Sequence, residues 1–91
     1  MTKTDLIAEV ADRAGLTRAE ADRAVRATMA AIAAALTSGD KVSVAGFGSF
    51  NTSERGPRTY KNPRTGELHE VGPGRVVRFK PSRGLVDEVN S

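Results

Sequence analysis

Apolar positions along the chain keep two different periods. In the first part they recur at three- and four-residue spacing. Thr2 and Asp5 form a capping-box pattern, Leu6, Ile7, Val10 and Ala14 follow at helical spacing, and Gly15 supplies the stop. A second box, Thr17-x-x-Glu20, opens an alanine-rich helix whose Ala21, Val25, Met29, Ile32 and Leu36 line one face until Ser38-Gly39. Its small alanines let another element approach closely. After Gly39-Asp40 the period becomes two. Val42 and Val44 alternate with Lys41 and Ser43, Ala45-Gly46 marks a turn, and Phe47-Gly48-Ser49-Phe50 enters a further strand. Arg75-Val76-Val77-Arg78-Phe79 reads as its return. Pro81-Ser82 then opens a short final helix with Leu85, Val86 and Val89 as its apolar positions, weakened by Gly84.

Between Asn51 and Gly74 the large apolar residues are only Tyr60, Leu68 and Val71, too few to offset the entropy of ordering a packed segment. With turn chemistry at Asn62-Pro63-Arg64-Thr65-Gly66, the pattern predicts a two-stranded arm at about 52–75 that projects from the body. The expected fold class is α+β in one domain, residues 1–91. Two N-terminal helices fill a dimerisation part (1–39), a three-stranded antiparallel sheet with the protruding arm spans 40–80, and a short helix ends the chain (81–91). Without the arm the body has about 65 residues, small for independent stability. It must still cover Phe47, Phe50 and Phe79. A second subunit completing that core is the economical solution, so an obligate or near-obligate homodimer is expected, with Val25, Met29, Ile32, Leu36 and Val44 joining the three rings.

Charge adds direction. From Met1 to Phe50 six cations face six acids, whereas from Asn51 to Arg83 Arg55, Arg58, Lys61, Arg64, Arg75, Arg78, Lys80 and Arg83 face only Glu54, Glu67 and Glu70, a surplus of five. A surplus confined to one segment is the footprint of a polyanion-binding surface. With no cysteine and a single histidine, His69, no metal site or cofactor is expected. The acidic pairs Asp87-Glu88 and Glu67/Glu70 come with no nucleophile or histidine partner, which argues against an enzyme. Met1-Thr2-Lys3-Thr4-Asp5 leads into no signal-like apolar run and no stretch suits a membrane span, so an intracellular protein with no membrane partner is expected.

GFGSF at 46–50, Arg55 and Arg58 on the outgoing strand, KNPRTG at 61–66 and FKPSRGL at 79–85, in that order and spacing, resemble the bacterial HU/IHF family of histone-like, DNA-bending nucleoid-associated proteins. The resemblance runs over essentially the whole chain. It implies an intertwined dimer with a helical base and two arms that wrap double-stranded DNA through the minor groove, compacting the chromosome in the cytoplasmic nucleoid. It implies that Pro63 is a wedge between base pairs, that Arg55, Arg58, Lys61 and Arg64 are arm cations, and that Asn62 shapes the tip. Lys3, Lys80 and Arg83 match basic positions along the flanks of the duplex, and Phe47, Phe50 and Phe79 match the shared aromatic core. Tyr60 departs from the small residue common just before the tip, Val86 replaces a cation common near the third helix, and no lysine-rich C-terminal tail is expected.

The chemistry of such contacts predicts weak sequence preference and better binding to bent, nicked or gapped DNA, where part of the deformation is already present. Three other readings stay open at this stage. One is a sequence-specific IHF-like factor, with a heterodimer with a related chain as a further possibility. Another is a helix-turn-helix regulator built around Gly15-Leu16. The last is a protein-binding module whose arm adds a strand to a partner's sheet.

Overall fold

The computed structural model describes the backbone of residues 1–91 and every side chain except those of Arg58 and Val71. Helix α1 (Lys3–Ala14) starts where Thr2 Oγ1 accepts the Asp5 N–H at 3.3 Å and the Asp5 carboxylate accepts the Thr2 N–H at 3.0 Å. It ends at Gly15, whose left-handed φ of 67° is the conformation that favours glycine. Thr17 and Glu20 repeat the box at the start of α2 (Arg18–Thr37), with bonds of 3.1 and 2.9 Å. Ala21, Val25 and Leu36 are buried, as the 3.6 period requires, while Met29 on the same stripe stays 43% exposed.

The N–H and then the hydroxyl of the cap threonine hold the Asp5 and Glu20 carboxyls below their ordinary range. A lowered folded-state value stabilises the fold above the unfolded value and loses that stabilisation as pH falls through the folded one. Glu20→Gln preserves a capping-box partner but removes the titration. Its melting temperature is expected to stay near that of the parent at pH 7 and to fall less steeply from about pH 5 to about pH 3; thermal melts followed by circular dichroism across that range check it.

Five strands follow: β1 (Val42–Val44), β2 (Gly48–Arg55), β3 (Arg58–Lys61), β4 (Leu68–Val71) and β5 (Gly74–Pro81), before helix α3 (Arg83–Val89). The body sheet is antiparallel in the order β1-β2-β5, and β3 and β4 pair separately. The molecule is therefore α+β, as the sequence predicts. The Gly46 φ of 79° lets Phe47 N–H reach the Val44 carbonyl at 3.0 Å, which turns β1 into β2. Gly48 is buried, and a Cβ there would lie 2.6 Å from the Lys80 carbonyl and 2.7 Å from the Phe79 ring. The second glycine of GFG is thus the one the strand packing demands.

The two-stranded arm that the sequence predicts carries an interruption along its length. Body pairing runs as far as Arg55 with Gly74 and resumes at Arg58 with Val71, and partner numbers add to 129 on both sides. Gly56-Pro57 therefore stands opposite Gly72-Pro73 with equal residue counts on the two strands. Ser82 N–H donates to the Phe47 carbonyl at 2.9 Å and sets the phase of the ladder. Continued outward, that phase needs an N–H at 57, which proline lacks. The two Gly-Pro steps thus divide the arm into a root continuous with the body and a separate distal ribbon.

The chain is extended, 54 × 30 × 29 Å, with a radius of gyration of 18.3 Å where a compact domain of this length has about 12 Å. Its accessible surface of 7222 Å² exceeds the roughly 5,100 Å² of a folded monomer of 9.6 kDa. Among the described residues the buried hydrophobic ones are Ala11, Ala21, Val25 and Leu36. Phe79 lies 4.8 Å from Phe50 and 5.5 Å from Phe47 between ring centroids, yet Phe47 and Phe79 are 47% and 42% exposed. Ile32 and Phe50 are half-buried and Val44 is 42% exposed. No residue of α3 is buried, and its expected apolar positions Val86 and Val89 are open to solvent.

Candidate nucleic-acid interface

Alternation along paired β2 and β5 sorts their side chains onto two faces. Phe50/Phe79, Thr52/Val77 and Glu54/Arg75 share one face; Ser49/Lys80, Asn51/Arg78, Ser53/Val76 and Arg55/Gly74 share the other. Thr52, Arg75 and Val77 line a cavity with Ala33, Leu36 and Thr37 of α2, which makes theirs the inner face. The outer face is therefore a strip of short polar residues punctuated by Lys80, Arg78 and Arg55.

Arg75 does not join that strip; it lies on the inner face, opposite Glu54. Its guanidinium donates to the Leu36 and Thr37 carbonyls at 3.2 and 3.0 Å. No basic residue lies in the last turn of α2 itself, so this arginine, thirty-eight residues downstream of Thr37, reaches the Thr37 carbonyl, adds a second bond to the Leu36 carbonyl that already accepts the Gly39 N–H at 3.1 Å, and faces the negative end of the helix dipole. Arg75→Ala is accordingly expected to lower unfolding stability by about 1 kcal/mol. Arg78→Ala, one step from the inner face, is expected to leave stability nearly unchanged and to weaken duplex binding. Urea denaturation and binding titrations on the two variants separate these effects.

Arg55 lies flat across the opposite strand. A Cβ on Gly74 would sit 2.8 Å from an Arg55 Nη, so the bare glycine makes room for the guanidinium, and Arg55 Nε is left buried without an acceptor. The Arg58 side chain lies outside the described residues. Beyond it the tip forms as the sequence predicts. Asn62 Oδ1 accepts the Arg64 N–H at 2.9 Å, the Asn62 carbonyl accepts the Gly66 N–H at 2.8 Å, and Gly66 adopts a φ of 76°. Pro63 stands exposed in that loop between Lys61 and Arg64, both also exposed.

On the body, Lys41, Lys80 and Arg83 border an open cleft of about 510 Å³ together with Ser43, Ser49 and Ser82, and no carboxylate lines it. Lys41 and Ser49 were not singled out from the sequence. The signal available was the alternation that already placed Lys41 opposite in facing to Val42. Lys3, at the first position of α1, is exposed. Among the described residues the ion pairs are Arg13–Glu9, Arg26–Asp22 and Arg83–Asp87, the last at 3.8 Å between side chains 94% and 71% exposed. Such a pair is weak. Arg55, Lys61, Arg64, Arg75, Arg78 and Lys80 have no carboxylate partner among the described residues.

A helical base, a sheet with a cationic outer face and a projecting basic ribbon together define a class of small polyanion-binding proteins. The sequence matches the family described as Bacterial DNA-binding protein over residues 1–90. The chain belongs to that family, which includes the HU proteins. It is 45% identical over 89 residues to DNA-binding protein HU of Geobacillus stearothermophilus, covering 98% of this chain and 99% of the other. To DNA-binding protein HU-1 of Halalkalibacterium halodurans it is 46% identical over 90 residues, covering 99% and 100%. Its fold superposes on HU from an Anabaena HU–DNA cocrystal structure with a TM-score of 0.89 at 38% identity, covering 98% of this chain and 97% of that one. Against HU from Thermotoga maritima the TM-score is 0.68 at 27% identity, with 98% of each chain covered. Among the described residues no helix is long and apolar enough to cross a membrane.

Proposed function

We propose that two copies of the chain form an architectural DNA-binding protein that wraps and bends double-stranded DNA with little sequence preference. The observation that carries this reading is the arrangement of cations: an outer sheet face and an arm with Lys61 and Arg64 flank an exposed Pro63 at the far end of a 54 Å molecule. Residues 1–39 supply the dimerisation base. The second copy covers the half-exposed Phe47 and Phe79 and the apolar groove formed by Leu6, Val10, Ala24, Val25, Thr28 and Met29. Val77 supports the same assembly, because it sits on the inner face and is nevertheless 62% exposed.

In the wrapped state Arg55, Arg58, Lys61, Arg64, Arg78, Lys80 and Arg83 contact phosphates, with Lys3 and Lys41 along the flanks, and release counterions. Pro63, rigid, apolar and without an N–H, enters an opened base step from the minor groove, with Asn62 holding the loop in shape. Unstacking costs a few kcal/mol per step and bending roughly 1–6 kcal/mol, which the phosphate contacts offset. DNA that is already bent, nicked or gapped binds better because it carries part of that deformation. The protein acts in the nucleoid as a structural component and carries out no reaction.

Pro63→Ala tests the wedge. On a duplex labelled at both ends, energy transfer is expected to show a smaller bend for the variant than for the parent. Retained phosphate contacts keep its salt dependence unchanged. Equal bending by the two proteins would remove Pro63 from the mechanism.

A further inference from the structure

Wrapping leaves one feature of the arm without a role. Tyr60 of β3 pairs in register with His69 of β4, and their rings stack with centroids 5.3 Å apart at 24°. The phenylalanines of the body meet at 46° and 48° in a cluster that fills a core. The Tyr60–His69 pair is flatter and has no core to fill, and Tyr60 is 53% exposed. A cross-strand aromatic pair steadies a ribbon, but that duty occupies one face of the tyrosine ring. More than half of the tyrosine is open to solvent, and although strand alternation turns Lys61 to the opposite side of the ribbon, Lys61 and the tip-loop Arg64 supply positive charge within the same narrow arm. Aromatic surfaces so placed hold nucleobases, since every base has a π-face and the cations hold its phosphate. Bases inside a duplex have both faces covered by their neighbours. An unpaired base does not.

We propose that Tyr60, backed by His69, is a stacking site for an unpaired base displaced from duplex DNA. The protein then selects bulged DNA by contact with the base as well as by ease of bending. The inference rests on the reading that the arm lies against DNA, and it adds a second recognition element between the root of the arm and its tip.

The chain contains one tyrosine and no tryptophan, so its tyrosine emission reports Tyr60 alone. The full-length protein is titrated with three duplexes of equal length: fully paired, carrying a one-nucleotide bulge, and carrying the same bulge as an abasic sugar. The two bulges loosen the duplex alike and differ only in the base. The base-bearing bulge is expected to bind on the order of tenfold more tightly than the abasic one and to quench the emission further. Tyr60→Leu, which keeps apolar bulk in the strand, removes that difference, and Tyr60→Phe retains it. Equal affinity of the parent for both bulges overturns the proposal, as does a preference for the base that survives in Tyr60→Leu. Failure of the parent to bind any of the three duplexes instead overturns the wrapping reading on which it rests.

Discussion

Cutting the arm back to its root is expected to leave a folded protein that has lost most of its affinity for duplex DNA. The cut is made by replacing residues 56–73 with Asn-Gly, so that Arg55 and Gly74 flank a two-residue turn. These two residues are paired, and the phase set by the Ser82 N–H bond to the Phe47 carbonyl places them in the closely bonded class that an Asn-Gly turn closes. Body packing does not depend on the excised segment, in which Tyr60 and Leu68 are 53% and 71% exposed. Stability of the body is therefore expected to change little. Each copy loses Arg58, Lys61 and Arg64, so a dimer loses six cations. At about 0.9 of slope per phosphate contact, the fall of log affinity with log salt flattens by roughly five. Titrations at several salt concentrations measure it directly. A shortened protein with undiminished affinity and slope would move the interface to the helices, as a helix-turn-helix reading requires.

Phe79→Ala is expected to destabilise the protein strongly. The ring touches both Phe47 and Phe50, yet in the single chain it is 42% exposed, and at that exposure its removal should cost about 2 kcal/mol. If a second copy covers the cluster, the full cost of emptying a core applies, about 3–5 kcal/mol for each subunit. At 4–8 °C per kcal/mol for a domain of this size, the melting temperature falls on the order of 20 °C. It should also rise with protein concentration, because dissociation and unfolding are then one event. Thermal melts across a hundredfold concentration range decide the matter. A small drop that is independent of concentration would show that the rings are not shared.

The sequence spoke most clearly where a local pattern has one physical solution. Thr-x-x-Asp and Thr-x-x-Glu forecast both helix starts, Gly15 and Gly46 occupy the left-handed positions that their neighbours imply, and Asn62-Pro63-Arg64-Thr65-Gly66 makes the reversal. The interruption of the arm was equally present in the letters, as two Gly-Pro steps. Its meaning depends on their standing opposite each other, and only the register shows that. The inward facing of Arg75 was hidden for a related reason. Counting charge along a segment does not say which side of a strand a cation occupies, and its acceptors at Leu36 and Thr37 lie far away in sequence. Partner coverage could be inferred from both directions, first from three phenylalanines in a small body and then from the exposure of those rings.

The unbroken register through the Gly-Pro steps makes the arm a ruler. Six residues on each strand, 56–61 and 68–73, separate the body from the tip loop, and matched additions or deletions preserve every other pairing. One residue added to both strands advances the tip by about 3.3 Å, close to the 3.4 Å rise of one base pair. In the proposed wrapped complex the reach of the arm is thus adjustable in steps of about one base pair. Additions of two restore the original facing of the tip, so even steps alter reach alone while odd steps also turn the tip over.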